Sequence, residues 1–236
     1  MRSLTISDPA LVGRQTYEQT VLADSPTGYW PLGEGSTDSD HSGSGRNLTW
    51  SGTTPTSTQI LPTAAGGITA AGASLARWPA STTNAAFTGT NVYTFEAWVK
   101  FTSTSDIAIL SHRNTNEHYA IYHDNTNKLR IVKAYSSGIN VEGINTGIAL
   151  NDGNLHHVVV LCNGGTSWQV YVDGASAGSG APTQSWSESG SADYLTIGSE
   201  VGPARRWVGQ LGHVAIYRGA LLSAARIAAH HTRGRT

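Results

Sequence analysis

The sequence predicts an all-β fold, a sandwich of two sheets with one short helix near the C-terminus. About ten to twelve short runs of β-branched and aromatic residues are separated by turn residues every 8 to 12 positions or so, the spacing of a sandwich. Helical composition is confined to one late stretch, LSAARIAAHH. The 236 residues, 39% of them hydrophobic, are enough for the core of one large β domain.

The elements follow in order. Residues 1–16 are a polar lead with Pro9 and Gly13, read as an arm, and the domain proper spans residues 17–236. In YEQTVLADSPTGYWPLGEG, Val21-Leu22-Ala23 reads as a short apolar turn and Asp24-Ser25-Pro26 as a second turn. A strand around Tyr29-Trp30 then stops at Pro31 and Gly33. Residues 35–73 are rich in Gly, Ser, Thr and Asp, with a short strand at Leu48-Thr49-Trp50. The clearest strand is VYTFEAWVKF, whose alternation puts Tyr93, Phe95, Ala97, Val99 and Phe101 on the core face. Strands follow at Ile107 to Ser111, His118 to His123 and Lys128 to Tyr135, the last two joined by the turn Asp124 to Asn127. HHVVVLC and WQVYVD flank Asn163-Gly164-Gly165 and form a hairpin. Tyr194 to Gly198 and Gln210 to Tyr217 add two strands on either side of the loop Ser199 to Arg206. Ser223 is the N-cap of the closing helix, whose apolar side is thin, so it is expected to rest on the sandwich edge.

Several chemistries are disfavoured at this level. Charged residues are 13% of the chain, with 15 basic against 16 acidic, which leaves no basic field for a nucleic acid or an anionic membrane. No run approaches the length of a membrane span, and MRSLTISDPALVG lacks the apolar centre of a secretory signal. The only cysteine, Cys162, lies in an apolar strand and reads as a small core residue. His156 and His157 are adjacent in a strand, so they leave on opposite faces and cannot readily share a zinc ion.

Four stretches, in order, resemble the laminin-G-like family of concanavalin A-type lectin jelly rolls, of the kind found in bacterial surface proteins and bacteriophage minor tail proteins. They are VLADSPTGYWPLGE with DHSGSGRNLT, then TFEAWVKF, then DGNLHHVVV to VYVDG, and last WVGQLGHVAIYRGALLSAARI. The resemblance implies a two-sheet jelly roll and a role in carbohydrate binding or adhesion. It also implies a place on a virion, on tail or head, in many copies, with cell-surface glycans or other virion proteins as partners. Three positions depart from the family pattern. Leu155 stands where a tryptophan is common, Leu211-Gly212-His213 where Ile-Asp-Glu is common, and Arg226 where a glutamate would complete the capping box of the closing helix.

Three functional readings follow. A glycoside hydrolase of this fold needs two carboxylates held across a sugar. Glu96 stands alone on its strand, Asp124 and Asp173 lie at turns, and Glu188 with Asp193 falls in a loop, so the chain is not expected to be an enzyme. A lectin needs an aromatic platform and polar side chains facing hydroxyls. Trp186, Arg113, Asn114, Asn116 and Arg205 are the candidates for carbohydrate binding, and for each the alternative is ordinary packing. Asp38 and Asp40 in TDSDHSGSG are candidate calcium ligands, with an Asx-turn as the alternative. The third reading is a structural virion building block that binds no sugar.

Overall fold

The computed structural model describes residues 15–78, 92–113, 117–135, 138–144, 146–164, 167–181, 194–200 and 204–236. Its strands and helices, numbered in chain order, form two antiparallel sheets faced on one side by two helices. The first sheet runs from β14 (Ala175–Gly180) through β13 (Ser167–Val172), β12 (His156–Asn163), β7 (Val92–Lys100) and β16 (Val208–Arg218) to β5 (Ile68–Ala71) and β4 (Thr56–Ser57). β1 (Gly28–Trp30) also pairs with β16. The second runs from β11 (Gly138–Ile144) through β10 (Leu129–Tyr135), β9 (Glu117–His123) and β8 (Ile107–Arg113) to β15 (Tyr194–Ile197), β6 (Ser74–Trp78), β3 (Leu48–Gly52) and β2 (Thr37–Asp38). The helices are α1 (Tyr17–Leu22) and α2 (Ala224–Arg235). This is the sandwich that the alternation predicts and the two-sheet jelly roll that the resemblance implies.

The hairpin of β12 and β13 pairs Val158 with Val172 and Asn163 with Ser167. Between the sheets lie Tyr93, Phe95, Ala97 and Val99 of β7 and Val158, Val160 and Cys162 of β12. They meet Ile107, Ile109, Ile121, Leu129, Ile131, Leu195 and Ile197 of the second sheet. Trp168 is part of this core, and Trp98 lies in the core on the other side of the first sheet.

That outer side differs from the sequence expectation. Thr94, Glu96 and Trp98 of β7 and His157, Val159 and Leu161 of β12 are buried, because both helices lie across them. α2 therefore covers a face and not an edge. Its apolar stripe reads as thin because two of its contact positions are not hydrophobic. His230 is fully buried as a polar partner, and Gly234 lets the helix backbone approach an indole, since a Cβ there would sit 2.1 Å from Trp98 Cζ2.

α1 replaces the expected apolar turn. Its signal is present in Thr16-Tyr17-Glu18-Gln19: the Thr16 side chain accepts from the Gln19 N–H, and the Gln19 side chain accepts from the Thr16 N–H. Thr16 thus belongs to the helix and not to the lead before it. At α2 the Ser223 side chain accepts from the Arg226 N–H, with no reciprocal partner. The Arg226 guanidinium instead reaches α1, donating to both carboxylate oxygens of Asp24 at 3.0 and 2.9 Å and to the Thr20 carbonyl at 3.2 Å. The residue that breaks the capping box docks the two helices together.

Candidate functional site

The face under the helices is organised by Glu96, which is alone on β7 in sequence but not in space. Its carboxylate accepts from Tyr17 Oη at 2.6 Å, His157 Nε2 at 2.8 Å, Tyr217 Oη at 2.9 Å and His230 Nδ1 at 3.0 Å. The other nitrogen of His230 meets Asp24 Oδ2 at 2.8 Å. With carboxylates on both sides, that ring is held as an imidazolium. Burial pushes the Glu96 carboxyl up, but His230 and His157 outweigh it and hold it well below the usual carboxylate range. Burial likewise lowers His230, and Glu96 and Asp24 more than restore it, so its net shift is upward. Glu96 and His230 are both closed to solvent. The constellation is a locking point that joins α1, α2, β7, β12 and β16.

Outward of it lies an open cleft of about 210 Å³. Its walls are Glu18 of α1, the segment Pro31 to Glu34, His41, Ser57 of β4, and Ala65 with Gly66. Tyr17 and Glu18 are neighbours in α1, and the first turns in to Glu96 while the second turns out to the cleft. His41 spans it, with Nδ1 2.6 Å from Glu18 Oε1 and Nε2 2.9 Å from Glu34 Oε1. Burial lowers the His41 ring, but the two glutamates outweigh it and the net shift is upward. Burial raises Glu34, and hydrogen bonds from Ser39 and His41 reverse this, leaving it below its ordinary value.

The cleft floor is a strap in which only glycine fits. Gly67 N–H donates to the Leu32 carbonyl at 2.8 Å, and Thr58 N–H to the Gly67 carbonyl at 2.9 Å. A Cβ on Gly33 would meet the Gly67 carbonyl at 2.5 Å, and one on Gly66 would meet Pro31 Cβ at 2.6 Å. Beneath the strap, His213 sits at a bulge of β16 with φ 50°, its N–H donating to the Pro31 carbonyl at 3.1 Å. Burial holds this ring neutral, with a pKa of about 3, and Nδ1 shares a hydrogen bond of 2.9 Å with Tyr29 Oη. Position 213 is where the resemblance calls for an acid, and here it carries a neutral imidazole. A second void, of about 10 Å³ between the sheets, is lined mainly by Phe95, Ile109, Leu110, Ile121 and Val160 and is apolar packing space.

Among the described residues, those expected from the sequence are dispersed. Asn114, Asn116, Trp186, Glu188 and Asp193 lie outside the described residues. Arg113 closes β8, paired with His118 and Tyr194. Arg205 belongs to the other end, where its carbonyl accepts from the Ala108 N–H. At ~3.3 Å per residue these ends of a seven-residue strand are roughly 20 Å apart. Arg205 is engaged within the protein, its guanidinium 4.5 Å over the Tyr122 ring, paired with Glu200 and 3.4 Å from Asp106. It ties Glu200 to Tyr122 and Asp106 beside the second sheet.

Asp38 accepts from the Glu34 N–H at 2.8 Å and from Trp50 Nε1 at 2.6 Å. Asp40 accepts from the N–H groups of Tyr29, Ser42 and Arg46 at 2.9 to 3.0 Å. Both carboxylates thus serve N–H donors of the surrounding chain, with Asp40 to Ser42 closing the Asx-turn expected as the alternative to calcium ligation. Among the described residues, no group of three or more His, Cys, Asp or Glu side chains is arranged to hold a metal.

His156 leaves β12 on the face opposite to His157, with Nδ1 2.7 Å from Asp173 and Nε2 3.1 Å from Asp152. Zinc added to the folded protein is therefore expected to leave its melting temperature unchanged. A stoichiometric rise that disappears in His156→Ala would overturn this.

Comparison with known proteins points one way. Residues 76–228 match the model of a family described as the concanavalin A-like lectin/glucanases superfamily. A search of curated proteins found no match. Among solved structures, domain 4 of AbnA, a GH43 extracellular arabinanase from Geobacillus stearothermophilus, in complex with arabinotriose, is similar with a TM-score of 0.62 at 17% identity. The match covers 87% of this chain and 98% of that domain. The receptor binding domain of botulinum neurotoxin mosaic serotype C/D is similar with a TM-score of 0.68 at 10% identity, over 89% of this chain and 51% of that one. The binding domain of botulinum neurotoxin DC in complex with SialylT is similar with a TM-score of 0.64 at 11% identity, over 89% and 52%. The chain thus spans about half the length of the neurotoxin binding domains. At these identities the likeness is one of fold.

Proposed function

Since the chain belongs to the concanavalin A-like lectin/glucanases superfamily, we propose that it is a non-catalytic glycan-binding module working on a virion surface. The fold is lectin-like. The observation that carries the binding reading is the cleft between α1 and the Pro31 to Glu34 segment, where two carboxylates, an imidazole and a hydroxyl converge. Its volume of about 210 Å³ lies below the roughly 300–1,000 Å³ of pockets for drug-sized ligands, so it takes one sugar unit while the rest of a chain runs over the surface.

The same geometry argues against hydrolysis. A glycosidase needs one carboxyl kept protonated near neutral pH as the general acid. Glu34 is held in its ionised form, Glu18 is tied to the same His41 ring at 2.6 Å, and Glu96 is sealed from solvent and ionised. The virion setting is supported by the likeness of the four motifs to bacteriophage minor tail proteins. It makes adhesion a matter of copy number, with other virion proteins as neighbours. A shallow site is expected near a millimolar dissociation constant, about −4 kcal/mol, and linking sites on a particle raises avidity by about 10² to 10⁴.

Amide chemical-shift titration of the whole chain with neutral oligosaccharides, arabinotriose among them, tests the reading. The expected result is millimolar binding with shifts at residues 31–34, 41, 57 and 65–67, and no release of reducing ends. Absence of any shift at ~10 mM sugar, ten times the expected constant, would leave a purely structural building block as the better reading. Turnover would instead make the chain a hydrolase.

A further inference from the structure

We propose that the cleft selects saccharides that present hydroxyl or protonated amino groups and rejects those that carry an acid group. The inference rests on the glycan-binding reading and adds the class of sugar.

The argument is one of charge and of hydrogen-bond inventory. Both ring nitrogens of His41 face carboxylate oxygens, Glu18 on one side and Glu34 on the other. An imidazole can satisfy two acceptors only when both nitrogens carry protons, so His41 is an imidazolium between two carboxylates. The lining then sums to one net negative charge, and no lysine or arginine is among the residues that form it. The donors present are largely committed: both His41 N–H groups go to the glutamates, and the Gly67 N–H goes to Leu32. The acceptors are not. Glu34 takes the Ser39 N–H on Oε2 at 2.8 Å, the Ser39 side chain and one His41 N–H, and Glu18 meets His41 through one oxygen. An ionised carboxylate offers about four lone-pair sites, so each glutamate keeps room for a donor from a ligand.

A cleft rich in acceptors and poor in donors complements sugar hydroxyls, which donate, and protonated amines still better. A carboxylate, sulfate or phosphate on the ligand finds no unpaired cation there, because the His41 imidazolium is already held between the two glutamates, and it meets like charge at short range. The glutamate side chains are more than one-third exposed, so solvent moderates this repulsion and discrimination, not total exclusion, is expected.

The test is the same titration on the whole chain, run in EDTA so that no cation can bridge. It uses three probes of similar length: a neutral N-acetylglucosamine oligomer, a glucosamine oligomer and a galacturonic acid oligomer. Shifts at the cleft residues should rank the amino sugar at or above the neutral one, with the acidic sugar about tenfold weaker or worse. At ~1 M salt, where the Debye length falls to about 3 Å, the three should converge. In Glu18→Gln/Glu34→Gln the acidic sugar should gain affinity and the amino sugar lose it, whereas Ser57→Ala should weaken all three without changing their ranking. Equal affinity for acidic and neutral oligomers, or a ranking unmoved in the double glutamine variant, would overturn the charge argument while leaving glycan binding in place. Shifts confined to other residues would overturn the choice of cleft, and no binding by any oligomer would remove both this inference and the glycan reading.

Discussion

Replacing Glu96 by glutamine should lower the free energy of unfolding by about 3–5 kcal/mol, the cost of removing one partner from a buried ion pair. The substitution keeps the shape and removes the charge. His230 is then left as a cation with only Asp24 beside it, and the amide NH₂ replaces an acceptor that now serves Tyr217 or Tyr17. Because the network joins both helices to the sheet, they should loosen first, with faster amide exchange in residues 17–22 and 224–235. The pH dependence separates this from a packing defect. His230 is held above its unfolded value, so its contribution is complete below the unfolded pKa, about 6.5, and fades as pH rises through the folded one. Glu96 is held below, so its contribution is present above its unfolded pKa and is lost only as pH falls through a much lower folded value. The wild type should therefore lose stability as pH rises above about 6.5, and Glu96→Gln should flatten that slope. Denaturant titrations at several pH values check both. Equal unfolding free energies for wild type and variant would show that the network contributes no net stability.

Gly67→Ala should cost nearly as much and also abolish binding in the cleft. Gly67 has φ 119°, a region that side chains rarely enter and one that costs about 1–3 kcal/mol. Its Cβ would lie 2.6 Å from the Thr58 carbonyl and 2.8 Å from Ile60 Cγ2. Neither can retreat easily, because Thr58 is hydrogen-bonded to Gly67 itself and Ile60 is packed in the cluster under the helices. Overpacking adds about 1–3 kcal/mol. The strap from Leu32 to Gly33 must then move, and the cleft wall with it. A folded Gly67→Ala protein with an unchanged melting temperature and intact sugar shifts would mean that the strap is not what shapes the site.

Local pattern carried most of the architecture. The alternation in VYTFEAWVKF and HHVVVLC sorted each side chain to the correct face, and those sets meet between the sheets as expected. A signal for α1 was also in the sequence, in the Thr16 to Gln19 capping box, but a six-residue helix has little periodicity, and packing rather than propensity makes it form. Arg226 likewise reads as a lost cap in sequence and becomes a bridge to Asp24 only once α1 is in place.

The amino-acid sequence by itself determined the longer central strands, their turns and the faces of those strands, because all of these depend on a period of two residues and on turn chemistry. Tertiary structure alone decided that the second face of β7 is buried and that Glu96 has company. Its partners lie 61, 79, 121 and 134 residues away, and alternation says which way a side chain points but not what will cover it. The cleft is of the same kind. Glu18, Glu34, His41 and Ser57 come from a helix, a loop, a turn and a short strand, and they face one another only because two glycine-bearing segments, one at Gly33 and one at Gly66 and Gly67, pack closer than any side chain would permit.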